Sequence, residues 1–437
     1  MFDPNMEVEE EVKVAEDNAP MEAPVEKGDK EINDKLKSSF GTMDIKDLKE
    51  FMEGSESPSK GEYKFTVEQG HFKEAVTAVR MTSSMKSNPN PVRLTLGKDT
   101  LRVSTFNPFS FAEYIIPLVQ PSGLKDGKSV RFIFDYNVLS RIATIFTEDV
   151  LELDVLPEKR LCKITAGKTN LEITTYPDSD FADFSGKMES MKMKSKIDPD
   201  SIRKAIQFIY PFTVKNDLQP NFSLVEIRDG QAIGGTPFSI VTMTSKHFEG
   251  ISLKMRYEFL VGMEKTLQFF DAKNTYLFES DDYYIIRDGN TMCGFEKTPY
   301  QFLNITPIVS AVKTDKRLMV PRDVLQNTLQ KLSVVSIDKK LPVTMSYRIG
   351  KGESTSMTLM TEDATGKQSK DTIPMTAKGY EPDDTEHSFK VTLSSLLRTV
   401  SFHDSHNIEL LEVPGKAVFL EDKYEEDTYL TVLSLLQ

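Results

Sequence analysis

FKVTLSSLLRTVSF, residues 389–402, decides the fold together with the segments directly after it: HDSHN (403–407), IELLEV (408–413), PGK (414–416), AVFLED (417–422) and YLTVLSLL (429–436). Leu393, Leu396, Leu397 and Val400 recur at the three- and four-residue spacing of one helix face, and the segments after the polar turn alternate like strands of an antiparallel sheet. The same order occurs twice more. FIFDYNVLSRIATIF (132–146) leads into VLELDVL, LCKITA and NLEITTY, with Leu139, Ile142 and Ile145 on the helical stripe. YEFLVGMEKTLQFF (257–270) leads into TYLFES, YYIIRDG and TMCGFEK, with Met263, Leu267 and Phe270 on the stripe. Sliding one copy onto the next pairs Ile142 with Leu267 and Leu151 with Tyr276, then Leu139 with Leu396 and Leu151 with Ile408, at offsets near 125 and 257 residues.

A period of that length suits a whole domain rather than a solenoid repeat, so the chain reads as three tandem domains. A strand, a helix and further strands precede each copy, which splits every domain into two similar halves. The preceding helices carry Phe72, Ala75, Val76 and Val79; Ile202, Ala205, Ile206 and Ile209; and Val324, Leu325, Thr328, Leu329 and Leu332. Pro199 and Pro321 fall where a first helical turn tolerates a missing amide hydrogen. The expected division is 1–60 tail, 61–186, 187–312 and 313–437, with linkers near Ser185–Ser190 and Ile308–Asp315.

With 437 residues, 39% of them apolar, the chain can build several cores. It contains no run of about 18 apolar residues, and its acidic start does not resemble a leader peptide, so a cytoplasmic location and no membrane partner are expected. A net charge of −13 argues against nucleic acid unless the charge is unevenly spread, and it is. Residues 1–60 hold 17 acidic and 8 basic side chains, so most of the imbalance belongs to that one segment. Its composition is that of a disordered tail, apart from MDIKDLKEFM (43–52), which has the spacing of a short amphipathic helix able to dock on a partner or on the chain itself.

No constellation points to catalysis. AGKT (166–169) resembles the end of a phosphate-binding loop, but Cys162 stands where that loop needs glycine and no helix comes after it, so it reads as a hairpin turn. His403 and His406 read as a solvated turn, and the pairs Asp281–Asp282 and Asp383–Asp384 as loop charges. Cys162 and Cys293 lie in alternating strands and read as buried thiols. No enzyme activity, metal or cofactor is expected.

Basic residues are more informative. Lys73, Arg80, Arg141, Arg203, Lys204, Lys265, Lys331 and Arg398 place at least one positive charge on every one of six helices. Single basic residues are usually a solvated face. Their recurrence fits helices that line a common surface facing phosphates, where contacts need charge and no base-specific geometry.

Three further stretches carry a family resemblance: NLEITTYPDSDFADF (170–184), with Ala182 in place of a proline; EKTPYQF (296–302); and NIELLEVPGKAVFLED with YLTVLSLLQ (407–437). With the triple repeat, they make residues 61–437 resemble the beta sliding clamp of bacterial DNA polymerase III, in a divergent or phage-encoded version. The resemblance implies an α+β fold of three clamp domains, each of two βαβββ halves, forming a ring with helices inside and sheets outside. It further implies a head-to-tail homodimer that encircles double-stranded DNA without sequence preference, and tethers a DNA polymerase and clamp loader through short peptide motifs. Lys86 falls where the family has a DNA-contacting arginine. The peptide pocket would comprise Gly235, Thr236, Pro237, Phe238, Ser239 and Ile240, in place of a Thr-Asp-Gly-His-Arg-Leu type run, together with Pro307, Leu430, Val432 and Ser434. The alternative is a clamp-fold scaffold that does not encircle DNA.

Overall fold

Six times along the chain a strand runs directly into a helix and three more strands come after it. The computed structural model describes residues 55–56, 61–80, 90–107, 109–177, 191–216, 218–305, 307, 316–334, 341–350, 354–362, 366–403, 405–413, 417–424 and 426–435. A two-residue strand, β1 (Ser55–Glu56), pairs in parallel with Ser129 and Val130 and is the one described piece of the expected tail. MDIKDLKEFM, Lys86 and the linker at 185–190 lie outside the described residues, as does the linker at 308–315.

The first unit is β2 (Tyr63–Glu68), α1 (Gln69–Ala78), β3 (Pro91–Leu96), β4 (Thr100–Asn107) and β5 (Ser110–Pro117). The second is β6 (Ser129–Asp135), α2 (Tyr136–Ile145), β7 (Val150–Leu156), β8 (Leu161–Ala166) and β9 (Thr169–Thr174). The third is β10 (Lys192–Lys196), α3 (Pro199–Ile209), β11 (Leu224–Arg228), β12 (Gln231–Thr236) and β13 (Ser239–Thr244). The fourth is β14 (Leu253–Arg256), α4 (Tyr257–Leu267), β15 (Tyr276–Glu279), β16 (Tyr283–Arg287) and β17 (Thr291–Glu296). The fifth is β18 (Arg317–Pro321), α5 (Arg322–Val334), β19 (Pro342–Ile349), β20 (Ser354–Glu362) and β21 (Gln368–Lys378). The sixth is β22 (Asp383–Thr392), α6 (Leu393–Phe402), β23 (Asn407–Val413), β24 (Ala417–Tyr424) and β25 (Asp427–Ser434).

Local chemistry starts the helices. The Asp135 carboxylate accepts from Val138 N (3.1 Å) and that of Asp198 from Ser201 N (3.2 Å), and each satisfies an amide that a first helical turn leaves without a partner. Pro199 occupies the first turn of α3, whereas Pro321 closes β18 just before α5. One burial rule then holds: the fourth, seventh, eighth and eleventh residues of α3 and α5 are buried, namely Ile202, Ala205, Ile206 and Ile209, and Leu325, Thr328, Leu329 and Leu332. In α1 the same positions are Phe72, Ala75 and Val76, with Val79 just past the helix end.

The fold corrects several of the expectations. Ile145 is 72% exposed instead of lying on the buried stripe, and Val324 is also exposed. Counted from the helix starts, Ile142 corresponds to Met263, not Leu267, because an extra turn after α4 restores the strand register. Asp383 and Asp384 begin β22 instead of sitting in a loop.

The halves of each domain exchange their leading strands. β6 pairs with β3 and β2 with β7; β14 pairs with β11 and β10 with β15; β22 pairs with β19 and β18 with β23. The helices pack in pairs, α1 on α2, α3 on α4 and α5 on α6. Two further pairings join the domains. β5 lies antiparallel to β17, with Phe111 opposite Gly294, and β13 lies antiparallel to β25, with Ile240 opposite Val432. Sheets of nine and twelve strands result, beside a four-stranded sheet β2-β7-β8-β9.

Candidate functional site

Among the described residues, the basic side chains singled out in the sequence lie on, or just after, helices, but their surroundings differ. Lys73, Arg80, Arg141 and Lys204 are exposed, and Lys265 is half-buried. Arg203 sits 3.3 Å from Asp200, one turn earlier on α3, and Lys331 sits 3.8 Å from Asp371 on β21. The Arg398 guanidinium donates to the Pro211 carbonyl and lies 5.8 Å from the centre of the Phe212 ring. Arg398 therefore spans the seam between the second and third domains.

The structure brings most of the expected pocket residues together. Gly235 to Ile240 form the turn and strand ends of the β12–β13 hairpin, and the β13–β25 register sets Ser239 opposite Leu433, Ile240 opposite Val432 and Thr242 opposite Leu430. Gly235 has φ +137, and a Cβ there would come within 2.1 Å of the Ser239 carbonyl oxygen, so the turn requires glycine. Thr236 Oγ1 accepts from Phe238 N (3.3 Å) and Ser239 N (3.2 Å), and Ser434 N donates to Phe238 O (2.9 Å). This leaves Phe238 at the tip of the hairpin, 63% exposed. Ile240 and Val432 belong to an apolar cluster against which Leu430 packs. Ser434 is half-buried, and Pro307 is exposed.

Of the residues that complete the cluster, the sequence pattern marks Phe419, in the alternating AVFLED segment, and not those of the segment after β17. Phe222, Phe302, Ile305 and Phe419 join it, and Phe302 N donates to the buried Glu226 Oε2 (2.7 Å), which ties the segment after β17 across the sheet. Nothing periodic in QFLNI (301–305) signals these anchors, because the segment is irregular. Physically, the arrangement is an apolar sheet face with an aromatic rim, suited to extended peptide segments with apolar anchors.

The solvated-turn reading of HDSH fails for one of its histidines. His406 is exposed, whereas His403 is 1% exposed and its Nδ1 lies 3.1 Å from Asp422 Oδ2. Burial alone would raise the Asp422 carboxyl, but hydrogen bonds from His403 and Ser405 and the charge of the imidazole bring it down to about 2. The AGKT segment is the β8–β9 turn, as expected. Cys162 and Cys293 are both buried thiols, with Cys162 pushed up to about 12 chiefly by desolvation.

No protein-family model matches the chain, and no curated protein sequence matches it. Solved structures do. The chain is similar to the DNA polymerase III beta subunit from Thermotoga maritima, with 13% identity and a TM-score of 0.71, over 86% of this chain and 99% of that one. It is similar to the DNA polymerase sliding clamp from Caulobacter crescentus, with 13% identity and a TM-score of 0.69 over 86% and 99% of the two chains. A sliding clamp from Pseudomonas aeruginosa bound to griselimycin gives 11% identity and a TM-score of 0.69 over 86% and 100%. At such identities the likeness concerns the fold: the chain has the sliding-clamp fold.

Proposed function

We propose that two copies of this chain close head to tail into a ring around duplex DNA and act as a processivity clamp that tethers a DNA polymerase. The carrying observation is a pair of matching ends. Within the chain, the last strand of a domain's first half pairs with the last strand of the next domain's second half, as β5 does with β17 and β13 with β25. The strand of the first kind left over is β21, whose residues 368–375 pair only with β20 among the described residues. The strand of the second kind left over is β9, which pairs only with β8 among the described residues and buries Ile173 alone.

Open edges of this kind attract another strand. The helix ends repeat the logic: the tenth residues of α1 and α4 meet across the first junction, where Thr266 Oγ1 donates to Ala78 O (2.7 Å). At the free ends the tenth residues are Lys331 and Ile145, both exposed. A β9–β21 junction between two copies would cover Ile145 and pair the two strands left over at the free ends. Such a ring needs only nonspecific phosphate contacts from residues such as Lys73, Arg141 and Lys204. It would raise the effective concentration of a polymerase held by the Ile240–Val432 pocket.

Light scattering tests the assembly, and retention on closed circular against linearised DNA tests the topology. A dimer retained on circles and lost on cutting is expected. A monomer that washes off both refutes the proposal and selects a non-encircling scaffold, the reading favoured by the engagement of Arg203, Lys331 and Arg398 with groups of the protein itself.

A further inference from the structure

The seam between the second and third domains has a second side, away from the peptide pocket. Here the tenth residues of α3 and α6 are Phe208 and Phe402, whose rings meet edge to face at 6.3 Å. Two bulky rings replace the Ala78–Thr266 contact of the other junction, and beside them a cleft of about 580 Å³ opens between α3, α4, the end of α6 and strands β24 and β25. Its volume is in the range of small-molecule sites. Phe208, Tyr210, Phe402 and Tyr429 contribute aromatic rings to its lining, with Phe208 and Tyr429 set edge to face at 5.0 Å and 82°.

The polar lining comes mainly from two neighbouring helices. On α3, Lys204, Gln207 and Phe208 share a face at the spacing of one turn, and on α4 Leu260, Val261 and Glu264 do the same. Gln207 Nε2 donates to Glu264 Oε1 (2.7 Å), which bridges the helices and leaves the second carboxylate oxygen and the Gln207 amide oxygen as acceptors. Lys204 and Gln207 are exposed, and Glu264 is half-buried. Asp422 is the other carboxylate in the lining, and it is committed to the His403 imidazole at 3.1 Å. The cleft thus combines rings suited to a flat group, acceptors on the Glu264–Gln207 bridge, and the Lys204 ammonium. A ligand that answers all three is planar, carries N–H donors on one edge and bears an anionic group.

We propose that this cleft holds a nucleotide unit, with an amino-bearing base against the rings, the donor edge of that base on Glu264 and Gln207, and its phosphate at Lys204. Stacking on aromatic side chains accepts any base, so the choice among bases falls to the acceptors. Guanine offers a ring N–H and a 2-amino group side by side, and one carboxylate can accept from both. Thymine offers a single N–H between two carbonyl oxygens, which a carboxylate repels. The unit is either a free nucleotide or a base of single-stranded DNA, since the recognition chemistry is the same. The site lies within one chain, on the face of β25 opposite Leu430 and Val432, so it depends neither on ring closure nor on the peptide pocket.

Titration calorimetry of the full chain with dGMP, dTMP and deoxyguanosine tests the site. Saturable binding of dGMP is expected, about tenfold tighter than that of dTMP. Glu264→Ala should erase that preference, Lys204→Glu should weaken dGMP severalfold while leaving deoxyguanosine unchanged, and Phe402→Ala should weaken all three. Oligothymidine of about twelve nucleotides, with and without one central deoxyguanosine, separates the two sources. Binding of the guanine-containing strand more tightly than dGMP assigns the site to single-stranded DNA, and binding of dGMP alone assigns it to a free nucleotide. If a variant fails to fold, the comparison of guanine and thymine probes on the natural chain still decides. Equal affinities for those probes, free and in a strand, or no saturable binding of either, would overturn the proposal.

Discussion

The two junctions inside the chain share one backbone plan and differ in what fills it. Asn107 Oδ1 accepts from Phe109 N and Ser110 N (2.8 Å each), as Thr236 Oγ1 does from Phe238 N and Ser239 N, and Glu296 N donates to Phe109 O (2.8 Å) as Ser434 N does to Phe238 O. Beyond that frame they diverge. The first junction sets Phe111 over Gly294 and carries a buried Arg102–Glu113 ion pair (2.9 Å), with Ser104 Oγ donating to Glu113 (3.1 Å). The second sets Ile240 against Val432, has the buried Thr242 where the first has Glu113, and meets on its helical side through Phe208 and Phe402. One junction is closed by small residues and paired charges. The other, built from bulky rings, leaves a cleft on one face and an aromatic rim on the other.

Substitutions can break this contrast, and the largest effect falls on the ion pair. Glu113→Ala takes the paired carboxylate away from the buried Arg102 guanidinium and should cost about 3–5 kcal/mol in urea unfolding. Thr242→Val, at the matching position, removes a hydroxyl that has no partner and should be neutral or stabilising by about 1 kcal/mol. Equal losses at the two positions would show that the junctions are held alike.

Gly294→Val would make the first junction resemble the second. A Cβ at Gly294 comes within 2.3 Å of the Phe111 ring, so overpacking should cost about 1–3 kcal/mol, read as a lowered Tm. The double variant with Phe111→Ile should recover most of that loss.

Acid sharpens the contrast from the other side. The Asp422 carboxyl is held at about 2, below its ordinary value of 3.8. Its pairing therefore stabilises the fold fully above about pH 4, by on the order of 2 kcal/mol, and that contribution is lost as pH falls through about 2. Urea midpoints of the natural chain and Asp422→Asn should differ most at pH 5 to 7 and converge near pH 2.

The smallest effect on stability belongs to Phe238→Ala, since the ring is mostly in solvent. The unfolding free energy should move by less than about 0.5 kcal/mol, while affinity for a peptide with apolar anchors should fall about tenfold by calorimetry. The corresponding Phe109→Ala should leave that affinity unchanged.

Much of this was legible in the residues. Helical spacing at Leu139 and Ile142, at Ile202 to Ile209 and at Leu393 to Val400 marked the faces that became cores, because a helix must bury its apolar stripe wherever it packs. Ile145 broke the pattern for a tertiary reason. It has the same helix position as Thr266 and Phe402, but its helix belongs to the first domain's second half, which no other domain covers among the described residues. The β12–β13 turn and the Leu430–Val432 strand were also placed correctly by pattern, whereas Phe302, Ile305 and His403 were not, since an irregular segment and a turn give no period to read.

The sequence by itself determined three domains, each of two strand–helix–strand units, because periodicity and capping act over a few residues and repeat wherever the residues do. Only the tertiary structure decided that units exchange their leading strands, that Phe208 meets Phe402 where Ala78 meets Thr266, and that the histidine of a polar turn is buried against a carboxylate. Those outcomes depend on which residues meet beyond the reach of local periodicity, from His403 with Asp422 to Phe208 with Phe402, and the bulk of a single side chain at the point of contact determines whether a junction closes or opens.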